Sequence, residues 1–396
     1  MTYLDLSRRQ FLQTSAAAAS LFVLPRFAIA QAGPTASRKL NLAFIGGGGI
    51  ANVAFDGCLG ENYVAICDVD DARAAKNCAK YPQARRFKDY RVMFDQMHRE
   101  IDAVIVSIPD HSHFAAAYLA MQLGKHVYVQ KPLTHDIWQA RTLRRAAAYY
   151  KVITQMGNQG HTTEGIRLVK EWYESGVLGE VREVHAWFDG PNFVKGPYFS
   201  IPATFPAPTL APPASLDWDL WLGPAKKRKY SSAYAPLTWR GWWDFGCGQL
   251  GDWACHQLDA AVYALDLGAP LSVEPATTPL PPGTFPTTNT LHYTFAARGE
   301  QPPVSVRWFD GGILPPLPVA GFTFNNAGGS IFYGDKGIMA VGSHSSSARL
   351  LPDARMAELR SSLPPKTIPR LVGGPHVEWV NAIRAGARCG SDFQRA

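Results

Sequence analysis

Between Lys39 and Met156 the chain alternates short apolar runs with amphipathic stretches, and a glycine run follows the first of them. This pairing restricts the fold more than any other feature of the sequence. Strands are expected at 40–45, 63–67, 103–108, 126–129 and 152–155, and helices near 50–59, 71–80, 90–97, 112–123 and 136–150. Strands separated by helices of that length join through right-handed crossovers into a parallel, doubly wound sheet. Ligands of such a sheet bind beyond the carboxyl ends of its strands.

Gly46-Gly47-Gly48-Gly49-Ile50-Ala51 fits the G-x-G-x-x-A pattern between a strand and a helix. Gly46 serves the tight turn, Gly48 admits a pyrophosphate to the backbone, and Ala51 is small enough for helix–strand packing. A glycine run alone also fills ordinary turns. Here the next strand ends at Asp68, about 20 residues on, where a carboxylate meets the adenosine ribose hydroxyls. That carboxylate repels a 2′-phosphate, so NAD is expected in preference to NADP. Two further strand ends carry polar chemistry, Ser107-Ile108-Pro109-Asp110-His111-Ser112-His113 and Gln130-Lys131-Pro132. The expected cofactor-binding set is Gly46, Gly48, Gly49, Ile50, Asp68, Ser107, Pro109, His113, Gln130 and Lys131.

The 396 residues suit two domains, and hydrophobic residues at 46% supply ample core. Residues 1–30 read as a leader: Ser7-Arg8-Arg9-Gln10-Phe11-Leu12 is a twin-arginine pattern, Ala16 to Leu24 is weakly apolar, and Ala28-Ile29-Ala30 offers a cleavage site. The expectation is export by the Tat machinery to the periplasm or beyond, with a linker at 31–38. No apolar run is long enough for a membrane-spanning helix. The net charge of +7, part of it in the leader, is modest for this length and argues against a nucleic-acid surface. A solvated loop accounts for Lys226-Lys227-Arg228-Lys229. The six cysteines show neither Cys-x-x-Cys pairs nor zinc spacing, so no metal is expected.

Several motifs in the same order make the chain resemble the Gfo/Idh/MocA family of glucose–fructose oxidoreductase and inositol dehydrogenase. They are the glycine loop, Cys67-Asp68-Val69-Asp70, Pro109-Asp110-His111-Ser112-His113, Gln130-Lys131-Pro132, Met156-Gly157-Asn158-Gln159-Gly160-His161, Asp217–Pro224 and Gly248–His256. Gln130 departs from the family, which usually has Glu there. The resemblance implies an α/β Rossmann domain at 39–156 and an α+β domain with a mostly antiparallel sheet at 157–396. It places the active site between them, with Lys131 and His256 catalytic and Asp252 beside the histidine. It also implies a homo-oligomer. Members usually continue past the helix expected at 375–385 with another helix, so a truncated C-terminus is expected.

The residues themselves agree with that outline. A helix is expected at 165–175, strands at 181–189, 290–296, 304–309, 330–333 and 337–341, and a helix over 251–264 that puts Asp252 and His256 on one face. A histidine titrating near neutrality takes a hydroxyl proton as hydride leaves the same carbon, and a lysine polarises the oxygen. A structural Asp–His pair and a metal site are the competing accounts of that spacing; no third ligand accompanies it. His161 and Asn158 are expected in the substrate pocket. Six of the 11 tryptophans fall between 218 and 253, and Trp243 is a candidate to stack on a sugar face. The expected function is oxidation of a secondary alcohol of a sugar or polyol with a tightly held, recycled cofactor, since an exported enzyme has no NAD pool. Redox-neutral glycoside cleavage, as in the NAD-dependent glycosidases of family 109, is the first alternative, with His161 as candidate base. A non-catalytic sugar-binding protein is the second.

Overall fold

The computed structural model describes residues 38–189, 198, 202, 204–279 and 282–395. The expected leader lies outside the described residues. Six parallel strands form the first sheet: β1 (Asn41–Ile45), β2 (Asn62–Cys67), β3 (Arg85–Phe87), β4 (Ala103–Val106), β5 (His126–Val129) and β6 (Thr154–Met156). Their order is β3-β2-β1-β4-β5-β6, so the chain reverses direction across the sheet between β1 and β4 and opens a crevice there. Every residue of β4 is buried, as expected of a strand covered on both faces. The covering helices are α1 (Ala51–Gly57), α2 (Asp71–Lys80), α3 (Tyr90–Met97), α4 (Asp110–Gln122) and α5 (Ile137–Tyr150). Asp70, Asp89 and Asp136 cap α2, α3 and α5 by accepting backbone amides of the first turn. Strand β3 was not expected, because Arg85-Arg86-Phe87 is too short and too charged to show a period of two.

The second sheet has seven strands in the order β13-β12-β11-β7-β10-β9-β8. They are β7 (Val181–Phe188), β8 (Ser272–Thr277), β9 (Asn289–Phe295), β10 (Val304–Asp310), β11 (Gly329–Gly334), β12 (Ile338–Gly342) and β13 (Ala348–Leu351). All neighbours are antiparallel except β7 and β10. One face packs on α6 (Glu164–Glu174) and α9 (Asp259–Ala264), joining Ile166, Val169 and Trp172 to Val184, Val306 and Phe332. The helix expected at 251–264 is two helices, α8 (Gly248–Gln257) and α9, with Leu258 between them. The short α7 (Trp218–Leu222) and α10 (Asp353–Leu359) complete this domain.

The chain's last part returns to the first domain. Trp379, Val380 and Ile383 of α11 (Gly374–Ala385) share a core with Leu42, Phe44, Phe55 and Tyr128. Phe393 is buried among Ile45, Val127 and Leu143 in the other Rossmann core. The Met156 amide donates to the Ser391 carbonyl at 2.8 Å, which ties the tail to β6. Residues 374–395 therefore complete the Rossmann domain, although they were expected with the substrate domain.

Candidate active site

A cleft of about 1700 Å³ runs from the carboxyl ends of β1, β2, β4 and β5 to the second domain. Typical small-molecule pockets span ~300–1,000 Å³, so this one has room for a dinucleotide and a further small ligand. At its floor, Gly46 has φ of +99°, and a Cβ there would stand 2.2 Å from the Ser107 carbonyl oxygen. A Cβ on Gly48 would meet the Arg73 carbonyl oxygen at 2.4 Å. Only glycine fits either position, and the bare backbone forms a cradle at the start of α1. Asp68 lines the cleft, its two carboxylate oxygens accepting the Gly47 and Asp70 amides at 2.8 and 2.9 Å. Ser107 and Gln130 also line it, and the Ser107 hydroxyl and the Gln130 amide have no hydrogen-bond partner among the described residues. Orphaned polar groups at two strand ends suit a ligand rich in hydroxyl and amide groups. These features fit a nicotinamide dinucleotide.

Lys131 follows β5, and its ammonium donates to the Asp252 carbonyl at 2.6 Å and to the Asp252 carboxylate at 2.7 Å. The third ammonium proton is left for the cleft. Burial alone would drive the lysine towards neutrality, but Asp252 outweighs it and raises its pKa. Burial likewise pushes Asp252 up, and Lys131 with Arg240 more than reverses this, so the carboxyl sits below its ordinary range. Both partners are ionised. Arg240 adds a second cation 3.5 Å from the same carboxylate, with its guanidinium over the rings of Trp239 and Tyr198.

His256 lies one turn along α8 from Asp252, but the two do not pair. Its Nδ1 is 2.8 Å from Oδ1 of Asn158, whose own Nδ2 donates to the Cys255 carbonyl at 2.9 Å. An amide oxygen only accepts, so His256 carries its proton on Nδ1 and presents a lone pair at Nε2. Burial, then Lys131 and His344, hold its pKa well below the usual histidine value. The imidazole is a neutral acceptor. The Asp–His pair that the shared helix face allowed does not form, because that carboxylate belongs to Lys131.

Several expected site residues stand elsewhere. Asn158 does not line the cleft; it sits behind His256 and orients it. His161 is buried away from the cleft, its Nδ1 2.9 Å from the Asp259 carboxylate and its ring against Tyr263. Trp243 is 57% exposed and stacks on Phe285, while Trp221, Trp239 and Trp253 line the cleft. His113 is buried with its ring nitrogens 2.9 and 2.7 Å from the Pro132 and Ile108 carbonyl oxygens, and it braces two strand-end loops without lining the cleft. The other expected cofactor residues, Gly49, Ile50 and Pro109 among them, do line it. The sequence reading missed Arg240, Asp110 as a titrating group, and His344. Arg240 and Asp110 lie inside or beside motifs already noted, whereas His344 sits in a Gly-Ser-His-Ser-Ser turn with no chemical pattern.

Fold and cleft together define a two-domain oxidoreductase architecture around an NAD-binding Rossmann domain. The model of the oxidoreductase family's NAD-binding Rossmann fold matches residues 40–158, and the model of its C-terminal alpha/beta domain matches 199–299. Together they span more than half of the chain, which belongs to the Gfo/Idh/MocA oxidoreductase family. Levoglucosan dehydrogenase of Pseudarthrobacter phenanthrenivorans is 22% identical over 50% of this chain and 41% of its own length. Inositol 2-dehydrogenase of Pseudomonas fluorescens is 30% identical over 39% of this chain and 47% of its own. The chain thus matches less than half the length of these curated relatives. Among solved structures, WlbA dehydrogenase of Bordetella pertussis with NADH and UDP-GlcNAcA superposes with a TM-score of 0.60 at 18% identity, covering 90% of this chain and 92% of that one. Levoglucosan dehydrogenase with NADH gives 0.60 at 18% identity over 90% and 93%. Identities this low carry the fold alone.

Proposed function

We propose that this protein oxidises a secondary alcohol of a sugar or polyol with NAD, and that it is exported through the Tat pathway with the cofactor retained and recycled. One observation carries the reading: a charged lysine and a neutral histidine with a free lone pair line the same cleft as the glycine cradle and Asp68. When bound there, NAD supplies the two-electron acceptor for the hydrogen on the carbinol carbon. His256 Nε2 takes the hydroxyl proton. Lys131 keeps its third proton and hydrogen-bonds through it to the same oxygen, which stabilises the negative charge that develops there. Asp252 keeps that ammonium charged in a buried setting. Trp221, Trp239 and Trp253 offer apolar faces to the C–H groups of a sugar ring.

Lys131→Met is expected to abolish turnover, by at least ~10³-fold, while the protein still carries nicotinamide. One portion of purified protein is denatured to measure the cofactor, and native protein is incubated with free sugars, inositols and aryl glycosides while absorbance at the NADH band is followed. NADH formed from a free sugar supports the proposal. Aryl release without NADH identifies redox-neutral glycoside cleavage instead, and neither reaction leaves a binding protein. Near-full activity in Lys131→Met refutes the assignment.

A further inference from the structure

His344 is a second imidazole in the cleft, unclaimed by the proton transfer just described. Its ring centroid lies 4.1 Å from that of His256, and both rings meet Trp253 edge-on. His344 and Ser345 both adopt the left-handed backbone, with φ of 56° and 51°, a region non-glycine residues seldom occupy. Two glycines make room for that turn. A Cβ on Gly160 would stand 2.3 Å from the His344 carbonyl oxygen, and one on Gly165 would stand 2.3 Å from that of Ser345. The Thr163 hydroxyl fastens the turn by donating to the Ser345 carbonyl at 2.7 Å.

The hydrogen bonds around the two rings assign them opposite tautomers. His256 donates from Nδ1 to Asn158, which leaves Nε2 as an acceptor. His344 Nδ1 is 2.9 Å from the Ser343 hydroxyl oxygen. That hydroxyl already accepts from Gln257 Nε2 at 3.0 Å, and the other proton of this amide goes to the Ala327 carbonyl at 3.0 Å. Among the described contacts, His344 Nδ1 is the one acceptor near the Ser343 proton. With the Ser343 proton placed on that acceptor, His344 carries its own proton on Nε2. Burial, with Lys131, lowers the pKa of His344, so this ring too is neutral.

We infer that the two rings read two neighbouring groups of one substrate: His256 Nε2 accepts from the hydroxyl to be oxidised, and His344 Nε2–H donates to an oxygen on the adjacent carbon. His344 then favours a sugar or polyol that carries an oxygen beside the reacting hydroxyl over one that lacks it. The two rings lie 4.1 Å apart, centroid to centroid, and line the same cleft, so neighbouring groups of one ligand can meet both. The inference rests on the alcohol-oxidising reading for which hydroxyl reacts. The tautomers do not depend on that reading.

Two measurements separate the inference from its premise. In the holoprotein, nitrogen-15 histidine spectra assigned with His344→Asn and His256→Asn are expected to show His256 protonated on Nδ1 and His344 on Nε2 near neutral pH. Asn suits the left-handed position, so the turn survives in the first variant. Identical tautomers, or a charged His344, overturn the inference whatever the enzyme oxidises. The second measurement uses NADH formation from D-glucose, methyl β-D-glucopyranoside and myo-inositol and from their mono-deoxy analogues. Wild type is expected to lose on the order of 10-fold or more in kcat/KM when the hydroxyl beside the reacting one is removed. His344→Phe, which keeps the ring contact, is expected to raise KM for the parent sugar about 10-fold with kcat little changed, and to treat parent and deoxy sugar alike. Continued discrimination by His344→Phe overturns the inference and leaves the oxidoreductase reading standing. Absence of NADH from every probe overturns both.

Discussion

Asn158 and Asp110 set the chemistry of the cleft without contributing a reacting atom. Asn158 fixes the tautomer of His256, so Asn158→Leu is expected to lower kcat by ~10–100-fold with cofactor affinity unchanged. Steady-state rates beside an NADH fluorescence titration measure both; an unchanged kcat would show that the tautomer is set elsewhere. Asp110 is buried at the edge of the ion-pair cluster, and burial lifts its carboxyl from 3.8 to about 7, against the pull of Arg240 and Lys131. Between those values the folded protein holds a proton that the unfolded chain releases, so this group lowers stability progressively as pH rises through that window and by a constant amount above it. Asp110→Asn should therefore gain up to ~4 kcal/mol over wild type at pH 8 and almost nothing near pH 4. Denaturant midpoints at the two pH values test this, and a gain equal at both would contradict it.

At the scale of elements, the turn after β1 shows how backbone geometry becomes binding. Gly46→Ala would place a methyl against the Ser107 carbonyl at a positive φ. The turn must then open, and bound nicotinamide is expected to fall by on the order of 100-fold in affinity. Cofactor released on denaturation, compared with wild type, gives the answer; full occupancy would mean that the cradle is not where the pyrophosphate lies. The same scale explains which elements were legible. The alternation of β1, β2, β4 and β5 with α1–α5 was visible because fully buried strands are apolar runs and helices keep their period. Strand β3 and the edge strands β8 and β13 were missed. Arg85-Arg86-Phe87 and the mostly exposed β8 pair through backbone groups whose side chains show no pattern. The expected 251–264 helix breaks at Leu258, although Leu258 breaks no rule of composition.

For the whole molecule, the tail is structural. Phe393 is 1% exposed inside a core of the Rossmann domain whose other buried members lie between Ala43 and Met156. Phe393→Ala is expected to cost ~3–5 kcal/mol in unfolding free energy, with the loss registered by probes of the nucleotide domain. A loss below ~1 kcal/mol would show the tail to be dispensable. Local period and the spacing of the glycine run determined the parallel sheet, the cradle and Asp68, and the ordered motifs that carry the family resemblance pointed to the second domain, Lys131 and His256. Tertiary structure alone decided who pairs with whom. Asp252 and His256 share a helix face, yet the carboxylate turns to Lys131, 121 residues away, and the imidazole to Asn158, 98 residues away. His161 is drawn off to Asp259, and His344 is carried into the cleft by a turn that two distant glycines accommodate. Partners of that kind are set by which surfaces meet when the domains pack, and spacing along one chain holds no record of it.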